Sequence, residues 1–373
     1  MQELNWYELK NDEGTISPAL LVYPERVEKN IVHMIHTAGQ TERLRPHIKT
    51  HKMREVIELQ MMMGIDKFKC ATLAEAELLA ITGAEDVLLA IQPVAAQLNK
   101  YLEMILKYPR TAFSTLVDNP KSLDQMTSGA REHSISLSLW VDINNGMNRT
   151  GITPGEEAKR LVLDICKNPS LILKGLHVYD GHIRTSDPVE RARDCENDFK
   201  PVEEFINDLK TEGLHPPKLI AGGTPTFPVH AQRKGVELSP GTPLLWDAGY
   251  ASHFRDLKFL NAAVLLTRII SKPARNMLCF DLGHKSVASE MGFPRVVFLG
   301  DHQFEQISHS EEHLVVKCKN GDDYTVGQTF YAIPVHICPT VSKYAEALTV
   351  QNHEISGSWT VAARDHLLIN NFI

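Results

Sequence analysis

The sequence of 373 residues predicts a (β/α)8 barrel joined to a second, mainly antiparallel β domain. Three observations carry this reading. From about residue 25 to 250, strand-like and helical patterns alternate about eight times with short connections, which indicates a parallel sheet and suits a closed barrel. Beyond about residue 255 the texture changes to closely spaced β-type runs separated by turn signals such as Lys319-Asn320-Gly321-Asp322-Asp323. The length accommodates a barrel of roughly 250 residues with a smaller unit beside it.

Taken in order, Val27, Ile31, Met34 and Ile35 form one apolar helical face, and residues 45–51 then read as a strand with a polar end. A helix near 53–63, a strand at 67–72, a helix at 73–83, a strand at 85–91 and a helix from about 94 to 107 follow. Strands at 110–116, 134–143, 171–181 and 217–223 are separated by helices near 119–129, 155–167 and 189–211. The β-type runs lie at 261–271, 276–283, 295–308, 313–319 and 322–338. Trp6, Tyr7 and Leu9, ahead of a polar turn, are expected to add a strand to them. The expected division is therefore a barrel over 16–252 and a β domain built from 1–15 and 253–373.

Composition narrows the function classes. Asp and Glu number 46 against 39 Lys and Arg, a net charge of -7, and the basic residues are scattered, so no nucleic-acid surface is expected. No apolar run reaches the roughly 18 residues of a membrane span, and the first residues have neither a basic nor an apolar leader segment. A soluble, cytoplasmic protein without a membrane partner is expected. The six cysteines are dispersed with no CxxC pair, which argues for reduced thiols rather than a disulfide scaffold or a structural zinc knot.

Three stretches carry chemistry. In a strand, His47, Lys49 and His51 would share one face and Ile48, Thr50 and Lys52 the other, so one of the two lysines should face the barrel interior. Desolvation there lowers a lysine pKa and suits it to Schiff-base formation. Gly222-Gly223-Thr224 follows a strand and precedes a helical stretch, so its N–H groups and the Thr224 hydroxyl could cradle a phosphate. His336 and Cys338, in a β-type run, would place an imidazole and a thiol on one face.

Residues 44–52, Leu-Arg-Pro-His-Ile-Lys-Thr-His-Lys, closely resemble the first barrel strand of the D-threonine aldolase and D-serine dehydratase family. That family is a branch of the fold-type III pyridoxal phosphate (PLP) enzymes that includes alanine racemase. The resemblance continues through 17–31, 70–79, 139–152, 175–182, 221–227, 237–250 and 335–341, and so covers nearly the whole chain. It implies a barrel of alanine-racemase type in which Lys49 is the Schiff-base residue. The stretch 141–151 looks like the racemase segment whose arginine hydrogen-bonds the phenolic oxygen of PLP, a role that falls to Arg149 and suits a permanently charged guanidinium. Ser239-Pro240-Gly241-Thr242 lies where racemases carry Arg-Pro-Gly, so Gly241 and Thr242 join Gly223 and Thr224 as phosphate-binding candidates. Ser239 replaces the arginine that faces the pyridine nitrogen, and Tyr179 is the candidate neighbour instead.

The segment 335–341 resembles the one that binds a divalent metal beside PLP in D-serine dehydratases and related aldolases. This implies His336 and Cys338 as ligands, zinc by softness or manganese by family habit, with open positions for a substrate hydroxyl and carboxylate. His51 and His182, within barrel-mouth motifs, are candidates for the base that handles the hydroxyl proton, whereas His177 is expected to pack. The implied activity is a lyase acting on small D-3-hydroxy amino acids. The aldolase outcome, glycine plus an aldehyde, is favoured because 221–227 and 247–250 look closer to that branch. The alternative is a dehydratase giving a keto acid and ammonia from D-serine or D-threo-3-hydroxyaspartate. A racemase would need a second acid/base, and Tyr324, Tyr331 and Tyr344 lie in no racemase-like motif. A PLP carrier would be a single shorter domain. The resemblance also implies a homodimer.

Overall fold

The computed structural model describes residues 4–215 and 218–366. Along the chain come β1 (Ala19–Val22), α1 (Pro24–Ala38), α2 (Arg54–Met62), β2 (Lys67–Cys70), α3 (Leu73–Thr82), β3 (Asp86–Leu89), α4 (Ala96–Lys107) and β4 (Ala112–Val117). Next are α5 (Pro120–Glu132), β5 (Leu137–Ile143), α6 (Glu156–Lys167), β6 (Leu171–Val178), α7 (Pro188–Thr211), β7 (Lys218–Ala221), α8 (Phe227–Ala231), β8 (Val236–Leu238) and α9 (Ala248–His253). The remainder is β9 (Ala263–Ala274), β10 (Met277–Phe280), β11 (Val296–Phe298), β12 (Glu305–His309), β13 (Leu314–Lys317), β14 (Thr329–Pro334), α10 (Ile337–Val341), β15 (Glu346–Gln351) and β16 (Glu354–Thr360). Two compact units result, one from residues 34–49 and 57–241, the other from 4–33, 50–56 and 242–365. Among the described residues no helix is long and apolar enough to cross a membrane.

In the first unit β2 to β8 lie side by side in chain order, all parallel. The stretch 44–47 joins the two edges of this sheet. Leu44 bridges Leu238 and His47 bridges Lys69; Arg45 N–H donates to Leu238 O at 2.8 Å, His47 N–H to Pro240 O at 2.9 Å, and Lys69 N–H to Pro46 O at 2.9 Å. The expected strand at 45–51 is therefore only a bridging segment. Pro46 has no N–H to continue a ladder, and the chain turns into a 3-10 helix at Ile48–Thr50. Strand parity does not apply to Lys49, whose position is set by that turn.

Closure is locked by Arg45, which is wholly buried and reaches Asp86 through two bonds of 2.7 and 3.0 Å and Glu237 through one of 2.7 Å. Burial opposes its charge, but the two carboxylates outweigh that and hold the guanidinium above its ordinary value. Leu88, Leu116, Trp140 and Ile220 form an apolar cluster of the same unit. Helices begin where local chemistry caps them. Thr72 accepts from Glu75 N–H while Glu75 accepts from Ala71 N–H at α3, and Asn119 and Asp187 cap α5 and α7 just ahead of a proline.

The second unit is a mainly antiparallel sheet running β12-β13-β10-β9-β1-β15-β16, with β14 pairing β9 and β11 pairing β14. Among the described residues β1 and β15 form its one parallel pair of strands. Because β1 pairs in register with β9, Leu21 opposite Val264, residues 17–33 group with this unit rather than with the barrel, as do 242–252. Residues 6–9 form a turn and not the expected strand. Tyr7 and Leu9 instead bury against Leu21, Val264, Leu266, Tyr331 and Val350. Residues 1–3 and 367–373, assigned from sequence to the β domain, lie outside the described residues.

Candidate active site

Lys49 lies in the middle of the 3-10 turn, partly exposed between buried Ile48 and Thr50, with its backbone N–H donated to His47 Nδ1 at 3.2 Å. Three strands of the barrel unit send polar side chains inward. Asp142 on β5 and His177 on β6 are register partners. Asp142 Oδ1 is 2.7 Å from His177 Nδ1, and His177 Nε2 is 3.1 Å from Lys69 Nζ, all three residues being buried. A proton on Nδ1, facing the carboxylate, leaves Nε2 to accept from the lysine. Burial, then the charge of Lys49, pushes the Lys69 amine down to about 7; Asp142 opposes this while Arg149 and Arg45 add to it. Burial works to raise Asp142, but its bonds to His177 and Thr150 win and hold it below the usual carboxylate range. Burial followed by Lys69 keeps His177 below its ordinary value.

Tyr179 lies two residues beyond His177. The Arg149 guanidinium stands 4.8 Å and Lys69 Nζ 5.5 Å from its ring centre. Gly223 backs the ring closely: a Cβ there would come within 2.9 Å of Tyr179 Cε2. Lys49, Lys69 and Arg149 thus share one unit with the buried carboxylate Asp142, a set that suits a multiply anionic ligand.

The two glycine loops meet. Gly222, at φ +82, takes a conformation that glycine adopts without strain. Thr224 Oγ1 accepts from Gly241 N–H at 3.2 Å, and the nearby Ser239 hydroxyl is buried with no partner among the described residues. Gly223 N–H donates to Asp180 Oδ1 at 3.1 Å, as Gly241 N–H does to Thr224. Since α8 has five residues, a phosphate here would rest on loop hydroxyls and amides rather than on a helix dipole. His182 donates its Nε2–H to Asp198 Oδ2 at 2.7 Å, while its Nδ1 is buried without a partner among the described residues.

In the second unit, His336 sits at the N-cap of α10 and Cys338 inside that helix, so the expected pairing across one face of a strand is replaced by a strand-to-helix turn. The pair still converges. Burial opposes charge on the imidazole, but its bonds to Cys338 and Glu290 prevail and raise it to about 9. Asp247 fixes the turn by accepting Ile337 N–H at 3.1 Å while capping α9 through Tyr250 N–H at 2.8 Å. Gly249 lets α9 approach closely, since a Cβ there would fall 2.4 Å from Val335 O. Thr50 Oγ1 lies 3.2 Å and Thr242 Oγ1 3.9 Å from Cys338 Sγ. His51 is wholly buried, which pushes it down to about 3; Nδ1 accepts Met53 N–H, and Nε2 has no partner among the described residues.

The candidate residues divide between the two units: Lys49, Arg149, Tyr179, Gly223, Thr224, Gly241 and His182 fall in the barrel unit, and His51, Thr242, His336 and Cys338 in the other. Sequence reasoning missed Lys69 and its relay to His177 and Asp142. A signal was present. In the strand 67–70, the apolar Phe68 and Cys70 share one face, so Lys69 falls on the opposite face, the one that a barrel's interior offers to a residue between two outward-facing ones.

Residues 22–245 match the family described as "Alanine racemase, N-terminal domain", and residues 262–350 match the "Putative serine dehydratase domain". The chain is 27% identical over 368 residues to 3-hydroxy-D-aspartate aldolase of Paracoccus denitrificans, covering 95% of this chain and 93% of that one. It is 25% identical over 357 residues to D-threonine aldolase of an Arthrobacter species, covering 93% and 92%. The crystal structure of D-threonine aldolase from Filomicrobium marinum superposes with a TM-score of 0.87 at 25% identity, over 94% of this chain and 96% of that one. With the barrel, its lysine turn and a family match over most of its length, this chain belongs to the alanine racemase N-terminal domain family.

Proposed function

We propose that the protein is a PLP- and divalent-metal-dependent lyase that cleaves D-3-hydroxy amino acids to glycine and an aldehyde, as a D-threonine aldolase does. The metal-dependent lyase part of this reading rests on the His336 and Cys338 pair, converged at an anchored turn, and the aldolase outcome is supported by the likeness to 3-hydroxy-D-aspartate aldolase and D-threonine aldolase over nearly the whole chain. The residues present fit both groups. An orphaned buried hydroxyl at Ser239 and a cationic set around Asp142 suit PLP, and an imidazole beside a thiol suits a borderline-soft ion such as zinc, with manganese the alternative.

Lys49 would hold PLP through its amine, Arg149 and Tyr179 would flank the ring, and Thr224, Gly241 and Thr242 would take the phosphate. Bound PLP supplies an electron sink and the metal a Lewis acid toward the β-hydroxyl. Arg149 holds a fixed positive charge over the Tyr179 face. His182, oriented by Asp198, can accept a proton at its unpartnered Nδ1. His51 is pushed down to about 3 by burial, which weakens it as a base at neutral pH. Lys69 can release or take a proton at Nζ near neutrality while it faces His177 Nε2 at 3.1 Å.

The match of 262–350 to the dehydratase domain supports β-elimination to a keto acid and ammonia as the second reading. Purified protein incubated with D-threonine and with D-serine decides between them. Glycine with acetaldehyde is the expected product; pyruvate with ammonia would support the second reading, and neither product would refute both. Loss of turnover on chelation is expected, together with a homodimer on sizing.

A further inference from the structure

Behind the Gly222–Thr226 loop lies a polar cluster that the residue roles above leave unused. Asp180, two residues past the end of β6, is almost wholly buried. Its Oδ1 accepts Gly223 N–H at 3.1 Å and the Thr226 hydroxyl at 2.7 Å, and its Oδ2 accepts from His230 Nε2 at 2.7 Å. Cys195 of α7 completes the group, with Sγ 3.3 Å from His230 Nε2 and 3.7 Å from Asp180 Oδ2. His230 packs under Gly222, where a Cβ would come within 2.7 Å of its Cδ2.

An Asp, a Cys and a His whose ligand atoms lie within 4.8 Å of one another could hold a metal. The geometry favours a proton instead. Tetrahedral zinc keeps nitrogen and oxygen ligands about 3.3 Å apart and takes four of them. Here nitrogen and oxygen are at hydrogen-bonding distance, three residues converge, and the second carboxylate oxygen is taken by the loop. Burying a carboxylate is costly unless donors surround it, and this one has Gly223 N–H, the Thr226 hydroxyl and His230 Nε2, with the weaker Cys195 thiol beside them. Their bonds outweigh desolvation and hold Asp180 below the usual carboxylate range.

We infer that Asp180, braced by His230, is a positioning residue for the phosphate loop. It fixes Gly223 and Thr226 on either side of Thr224, and Thr224 in turn accepts Gly241 N–H, so a single buried carboxylate sets the geometry of both glycine loops. The inference rests on the reading that these loops take the phosphate of PLP.

The test compares affinity for PLP with affinity for pyridoxal, which lacks the phosphate, and follows thermal stabilisation of the cofactor-free protein by inorganic phosphate. Wild type should prefer PLP; equal affinities would sink the functional reading and this inference with it. Asp180→Ala removes the acceptor and should weaken PLP roughly tenfold to a hundredfold while leaving pyridoxal unchanged and abolishing the phosphate effect. Asp180→Asn keeps one oxygen for Gly223 and Thr226 and should restore the preference. If Asp180→Ala does not fold, Thr226→Val takes its place with the same expected loss of preference. A wild-type preference retained in the Ala or Val variant, or PLP and pyridoxal weakened equally, would overturn the inference alone. So would a stoichiometric metal in wild type, measured by plasma mass spectrometry, that disappears in Cys195→Ser.

Discussion

Replacing Lys69 by methionine tests the charge balance of the barrel interior directly. The amine releases its proton at about 7 in the folded protein against 10.5 ordinarily. A gap of 10.5 minus about 7, at about 1.4 kcal/mol per unit, makes the protonated folded form costly by about 5 kcal/mol. Between those two values the unfolded chain binds the proton and the folded chain does not, so wild-type stability rises with pH through this window. From pH 7 to pH 9 the linkage amounts to about 2 kcal/mol. Lys49, Arg149 and Arg45 face the amine as charged neighbours, and Asp142 opposes them. Asp142 and His177, both held below their ordinary values, release their protons before pH 7, so within the trio the amine is what titrates. Lys69→Met removes this dependence and adds a constant cost for His177 Nε2, which loses its partner. Urea unfolding of both proteins at pH 7, 8 and 9 should show the stability of the variant relative to wild type falling by about 2 kcal/mol across the series. A constant difference would refute the assignment of Lys69 as a buried amine that is neutral above pH 7.

Three further outcomes are expected. Lys49→Ala should abolish both the visible absorbance of bound PLP and the lysine adduct trapped by borohydride; a persistent adduct at another lysine would show the anchor to be misassigned. Arg45→Met, which strands Asp86 and Glu237 without their cation, should cost about 3–5 kcal/mol in equilibrium unfolding, and a neutral effect would remove Arg45 as the lock of barrel closure. Gly249→Ala, placing a Cβ 2.4 Å from Val335 O, should destabilise by about 1–3 kcal/mol and weaken zinc binding in calorimetric titration; unchanged zinc affinity would separate α9 from the metal turn.

The alternation of strands and helices was legible because each barrel element carries its own period and its own caps. Leu137–Ile143 and Leu171–Val178 are predominantly apolar strands, and Thr72, Asn119 and Asp187 cap the helices that follow. The motif around Lys49 was legible as a resemblance, although not for the reason that strand parity suggested. Pro46 and two long-range pairings turn that stretch into a 3-10 helix, and pairings with Leu238 and Lys69 belong to no local window. The same limit hid β1, whose four apolar residues fit a barrel strand equally well until β9 and β15 take them as partners. It also hid Lys69, His177 and Asp142, and likewise Asp180, Cys195 and His230, since each group gathers side chains from three elements far apart in the chain. Periodicity and capping act within a few residues, and so they show in the sequence. Burial of a charge and the partner that compensates it exist only once the strands have paired, and the pKa values and loop geometry of this site are set at that level.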